Sequence, residues 1–164
     1  MIERLRTVTI GEMVVSASPD DILVAYGLGS CVAICLYDPR MRVGGMLHAL
    51  LPRAPDPQRA AASPARFVEQ GVPLLVETVL RLGGRQARLR ASLCGGARMI
   101  SNPVFDGQLH VGRNNVLAAI AALDALRIPI QAQDVGGRHG RTVRIALADG
   151  QVSVRTMRRE RILV

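Results

Sequence analysis

The stretch ILVAYGLGSCVAICLYDPRMRVGGMLHAL, residues 22–50, decides how the chain is read. Its apolar residues fall in short runs of Val, Ile and Leu, cut by Gly27-Leu28-Gly29-Ser30 and by Asp38-Pro39-Arg40-Met41-Arg42, and no helical period fits them. Three strands result, Ile22–Tyr26, Cys31–Tyr37 and Val43–Leu50, joined by two tight turns. Strands that follow one another through a short turn usually pair antiparallel. With the second turn centred on residue 40, Cys31 faces a residue near 49, which sets His48 within about one pair of it.

Outward from this core, Thr7–Ile10 and Met13–Ser16 read as further strands. Residues 51–66 carry Pro52, Pro55, Pro57 and Pro64, a composition for a mobile loop that builds neither a ladder nor a continuous helix. Ser63-Pro64 then signals a helix start. Val68, Val72, Leu75, Val76 and Val79 share one face of that helix, which Gly83-Gly84 ends. Pro73 lies inside the pattern and predicts a kink near Glu69–Pro73 or a later start.

Ala87–Leu93 reads as a strand with one apolar and one basic face. Asn114 or Asn115 caps a second helix of about 12 residues with a stripe of Val116, Ile120 and Leu123, stopped by Ile128-Pro129. Alternation at Val143, Ile145 and Leu147, then at Val152 and Val154 after a turn at 148–150, predicts a hairpin. The order of elements specifies an α/β (α+β) fold, a layered sandwich of mainly antiparallel sheet with two principal helices. There is no internal repeat, and residues 1–164 read as one domain.

Composition narrows the function. A 49% hydrophobic, 21% charged chain with mean hydropathy +0.22 fits a globular core. No apolar run nears the roughly 18 residues of a membrane span, and the N-terminus has no signal-like stretch, so a cytoplasmic protein with no membrane insertion is expected. All 21 basic residues are arginine, against 13 acidic ones, for a net charge of +8. Lysine chemistry is thereby excluded, and the positive field favours an acidic partner. Nucleic acid is not the expected partner, because Tyr26, Tyr37, Phe67 and Phe105 are too few for a stacking platform. Cys31, Cys35 and Cys94 show neither a disulfide framework nor a zinc spacing, so a reducing compartment and no metal are expected.

Gly27-x-Gly29 opens a dinucleotide fingerprint, but the sixth position is Val32 and a strand follows where a helix N-terminus is required. What the turn does deliver is Cys31 at the mouth of a strand. A nucleophilic thiol needs a base, since an ordinary pKa near 8.5 leaves little thiolate at neutral pH. His48, on the next strand, is the candidate base. The plainer alternatives are a buried structural cysteine and a core histidine satisfied by backbone. Cys35 and Cys94 keep that structural reading, His110 and His139 read as surface residues, and paired carboxylates for acid–base work are absent.

Six blocks in order resemble the chemoreceptor glutamine deamidase family, CheD, over nearly the whole chain. They are Gly27-Leu28-Gly29-Ser30-Cys31-Val32, residues 44–52 (GGMLHALLP), Phe67-Val68-Glu69, Gly95-Gly96-Ala97-Arg98-Met99, Gly112-Arg113-Asn114, and Asp134-Val135-Gly136-Gly137 with Gly140-Arg141. The resemblance implies hydrolysis of glutamine side chains on methyl-accepting chemotaxis receptors, on a sandwich similar to the catalytic domain of deamidating toxins. Cys31 is then the nucleophile and His48 its base, backbone N–H groups of Gly29, Ser30 and Cys31 meet the oxyanion, and no cofactor is needed. The family's third catalytic member is a threonine six residues before the cysteine, and here that position is Ala25. Such a group orients the imidazole, so Ala25 implies an impaired site unless Ser30 or a backbone carbonyl substitutes. Arg81, Arg85, Arg88, Arg90 and Arg98 form an acid-free stretch, read either as a docking face for an acidic receptor or as a solvated arginine-rich face. The alternative is a non-catalytic adaptor that keeps the fold and binds receptors or a CheC-type phosphatase.

Overall fold

The structure, a computed structural model, describes residues 2–99 and 110–164; Phe105 lies outside them. In chain order the strands are β1 (Arg4–Thr7), β2 (Glu12–Ser16), β3 (Asp21–Leu28), β4 (Val32–Asp38) and β5 (Val43–Ala49). After α1 (Pro57–Ala62) and α2 (Val68–Arg81) come β6 (Arg90–Gly95), α3 (Val111–Ala125), β7 (Ile130–Val135), β8 (Arg141–Ala146), β9 (Val152–Arg155) and β10 (Glu160–Ile162). They build two five-stranded sheets, one ordered β1-β3-β8-β9-β10 and the other β2-β5-β4-β6-β7. Only β1 with β3 and β6 with β7 run parallel among the described pairings, so the expected sandwich of mainly antiparallel sheet is what forms.

Alternation along each strand creates two separate apolar layers. Val32, Ile34 and Leu36 of β4 and Val43, Leu47 and Ala49 of β5 pack under α2 and α3 against Val72, Leu75, Val79, Ala119 and Leu123. The opposite face, with Cys31, Ala33, Cys35, Tyr37 and Met46, packs on Leu23, Ala25, Val143 and Ile145 of the first sheet. The layers are therefore helices, sheet, sheet. Tyr37 Oη spans the two sheets, donating to Leu147 O at 3.1 Å.

Several expectations shift. The predicted Thr7–Ile10 strand is instead Arg4–Thr7, where Arg4 Nε and Arg6 Nη1 reach buried Asp21 at 2.6 and 3.2 Å. Residues 51–66 do not form a plain loop. Asp56 caps α1 by accepting from Arg59 N, Pro64–Arg66 makes a 3-10 turn, and Leu51 bridges Phe67. Accordingly α2 starts at Val68 rather than at Pro64, with the predicted apolar face buried and Pro73 inside it. α3 begins at Val111, a turn earlier than either asparagine cap allows, and Asn115 is buried within it. Its buried stripe is Gly112, Asn115, Ala119 and Leu123, while Ile120 is turned outward. β6 has no basic face, since Ala91, Ser92, Leu93 and Cys94 are all buried.

Asp38 fixes the hairpin that carries both candidate residues. Its carboxylate is fully buried and accepts from Arg40 N and Met41 N inside the turn, from Arg85 N, and from the Arg88 guanidinium at 2.9–3.1 Å. Burial works to raise its pKa, but Arg88 and the backbone N–H groups outweigh this and hold it at about 2. Asp21 is likewise held at about 2, chiefly by Arg4. Folded values below the unfolded one mean a stabilisation that is complete above about pH 4 and lost as pH falls through the folded values. Thermal unfolding followed by circular dichroism will show Tm falling between about pH 4 and pH 2. At neutral pH, Asp38→Asn will cost about 3 kcal/mol by leaving Arg88 without its buried partner. A variant as stable as the native chain would refute the assignment.

Candidate active site

Cys31 stands immediately before β4, after the Gly27–Ser30 turn, and His48 stands in β5. The ladder pairs Val32 with Ala49 and Ala33 with His48, so its continuation sets Cys31 opposite Leu50, one residue beyond the sequence estimate. Side-chain parity follows directly. Cys31, Ala33 and His48 share the face that looks into the space between the sheets, with Cys31 and His48 as diagonal neighbours. Such neighbours have Cβ atoms roughly 7–8 Å apart or somewhat less, a span that long side chains bridge.

The imidazole is held from the other sheet. His48 Nδ1 donates to Val8 O at 2.9 Å, since a carbonyl can only accept. Val8 in turn is fastened beside β3, its N–H donating to Val24 O at 2.8 Å. This bond fixes the tautomer and leaves Nε2 unprotonated in the neutral ring. Nε2 is buried and has no hydrogen-bond partner among the described residues, so no hydrogen bond joins it to the Cys31 sulfur in the resting arrangement. Burial lowers the His48 pKa, against the Val8 carbonyl and the Glu12 carboxylate across the ladder, which raise it.

Cys31 is only 6% exposed and packs in the inter-sheet layer, less accessible than a strand mouth suggests. Burial pushes its thiol up, and its own backbone N–H works against that. Both shifts favour the uncharged forms, thiol and neutral imidazole. Ala25, fully buried in the same layer, offers no polar atom to the ring. Cys35 and Cys94 are free, sealed thiols as expected, and burial with the nearby Asp134 carboxylate takes Cys94 up to about 12. His139 is exposed and His110 half-buried.

Gly29 and Ser30 are half-buried, and Ser30 reaches a neighbouring cavity, which neither Cys31 nor His48 lines. The cavity, of about 840 Å³, has Gly96, Arg98, Gly112, Arg113 and Arg138 around it. The backbones here are very close: a Cβ on Gly112 would lie 2.6 Å from Gly96 O, and one on Gly95 would overlap Cys31 O. The arginine stretch 81–98 is not one docking face, because Arg88 is bound to Asp38 and Arg81 to Glu77. Among the described residues no three His, Cys, Asp or Glu side chains converge on a metal-sized site, and no helix is long and apolar enough to cross a membrane. Two elements of this geometry do not follow from the sequence pattern. The Val8 carbonyl is a backbone atom, and Asn115, read as a helix cap, lies beneath the turn.

Comparison with known proteins supplies the family. Over 156 residues, covering 95% of this chain and 94% of its relative, it is 40% identical to the "Probable chemoreceptor glutamine deamidase CheD" of Symbiobacterium thermophilum. A protein of the same name from Pyrococcus abyssi is 45% identical over 148 residues, 90% of this chain and 89% of the relative. Among solved structures, the hypothetical protein YfiH of Bacillus licheniformis aligns with a TM-score of 0.44 and 15% identity over 81% of this chain and 61% of that one. The family model described as "CheD chemotactic sensory transduction" matches residues 50–156, and with the two curated relatives it establishes that the chain belongs to the CheD family.

Proposed function

We propose that this chain hydrolyses glutamine side chains on chemoreceptors to glutamate, with Cys31 as nucleophile and His48 as general base and acid. One observation carries the reading: the bond from Nδ1 to the Val8 carbonyl leaves Nε2 bare, buried and on the face it shares with Cys31. The orienting role that a threonine at position 25 would fill then passes to the Val8 carbonyl, and Ala25 need not impair the reaction.

The substrate side chain enters from the cavity beside Ser30. Nε2 takes the thiol proton as Sγ bonds to the amide carbon, and the carbonyl electron pair moves to oxygen, facing the Cys31 N–H. The pair then returns, the C–N bond breaks, and the imidazolium passes its proton to the leaving ammonia. Water, deprotonated by Nε2, attacks the thioester, releasing glutamate and restoring the thiol. No electron is exchanged with an outside acceptor. A working free thiol suits the reducing cytoplasm.

The low exposure of Cys31 favours one competing reading, an adaptor that binds receptors or a CheC-type phosphatase without chemistry. Mass spectrometry of a receptor cytoplasmic fragment separates the two. Under the enzymatic reading the native chain converts glutamine to glutamate, Cys31→Ala does not, and His48→Gln is slower by about a hundredfold to ten-thousandfold. Binding without conversion by the native chain selects the adaptor.

The thiol titration is a second test. Because burial raises the Cys31 pKa and the imidazole is neutral, alkylation of Cys31 by iodoacetamide in the free chain will keep rising through the ordinary thiol range near 8.5. His48→Gln will leave that profile in place. A plateau already reached at neutral pH would mean a resting thiolate–imidazolium pair instead.

A further inference from the structure

The three carbonyls of the Cys31 turn are all engaged. Ala97 N–H donates to Gly29 O at 2.9 Å, and Gly96 N–H donates to Cys31 O at 2.8 Å. Ser30 O is the third. Its donor is Asn115 Nδ2, at 2.9 Å. The same nitrogen donates to Leu50 O at 3.0 Å, where β5 leaves the ladder because Leu50 N is committed to Arg66 O. Two acceptors on one side of the amide settle which end faces them, since only the NH₂ can donate. Asn115 is fully buried, and its Oδ1 has no partner among the described residues. The Ser30 and Leu50 contacts therefore define what the side chain holds.

We infer that Asn115 is a positioning residue of the deamidation site: by holding Ser30 O it fixes the direction of the Cys31 N–H that meets the oxyanion. The inference rests on the deamidase reading above and adds a residue to it. Ser30 C=O and Cys31 N–H are opposite ends of one planar peptide group, so a bond at the oxygen sets the aim of the hydrogen. The substrate oxygen gains its charge beside Sγ as the S–C bond forms, where the N–H of the same residue is the nearest backbone donor of the turn. A donor on the carbonyl also polarises the peptide and strengthens its N–H. The short reach of an asparagine suffices because Gly112 and Gly96 let α3 approach, backbone to backbone, the Gly96–Ala97 segment that is itself bonded to the turn.

The test separates aim from mere support. Asn115→Ala and Asn115→Asp are compared with the native chain in deamidation of a receptor fragment and in iodoacetamide alkylation of Cys31 at one pH. Alkylation is a displacement at saturated carbon and develops no oxyanion. The expected result is a kcat lower by about tenfold to a hundredfold, with KM and the alkylation rate within about threefold of native. A folded variant whose kcat stays within threefold, or whose alkylation falls in step with kcat, overturns the inference. If neither variant folds, the native chain is titrated with a peptide bearing an aldehyde at the target side-chain carbonyl. The thiol adds to that carbon, its proton goes to the oxygen, and the Cys31 amide proton should move downfield; an unmoved resonance overturns the inference. A native chain that yields no glutamate removes the deamidase reading and this one with it, whereas native activity with unaffected Asn115 variants removes this one alone.

Discussion

The buried carboxylate of Asp38 makes the site possible from a distance of seven residues. By gathering two N–H groups of its own turn and the guanidinium of Arg88, it closes the β4–β5 hairpin in a single register. Register in a sheet is a choice of face as much as of partner, because a slip of one residue sends every side chain to the other side. In the register found, a sulfur and an imidazole look into the same inter-sheet space. One step away, His48 would lie under the helices against Val72 and Leu75, on the face Leu47 now fills, and the thiol would face no nitrogen at all.

The second sheet finishes what the hairpin begins. A histidine between two apolar layers has two ring nitrogens to satisfy, and a single carbonyl from Val8 satisfies one. The unsatisfied nitrogen is a cost that a purely structural histidine would avoid, and unpaired buried polar atoms in folded proteins are few. Its presence beside a cysteine is coherent if a proton is to be taken up there. Burial favours the uncharged form of both side chains, raising the thiol pKa and lowering that of the imidazole.

Much of this was legible in the order of residues. β4 and β5 are short apolar runs joined by a tight turn, so their pairing and the proximity of Cys31 to His48 follow from the hairpin rule; the same rule fails across the glycine turn, because β3 and β4 lie in different sheets. The phase of α3 was not legible, because Val116, Leu117, Ala118, Ala119, Ile120, Ala121 and Ala122 are apolar around the whole circumference and give no preferred face. Asn115 was misread for the opposite reason: a polar residue near a helix start usually caps it, and here close glycine packing drew the helix back a turn and buried the amide. β7 and β10 escaped notice since QAQDV and ERI read as polar segments, each on a sheet edge. The Val8 carbonyl has no letter in the sequence.

The seam where Gly112 meets Gly96 and Ala97 differs in kind from the hydrocarbon layers. In those layers a neighbour can shrink or swell to absorb a substitution, so a loss at one position can be compensated by a second change elsewhere. At the seam the opposing atoms are main-chain oxygens, and there is nothing to trim. A methyl group at 112 has no suppressor within reach except a shift of the whole helix, and that shift would carry the Asn115 amide away with it.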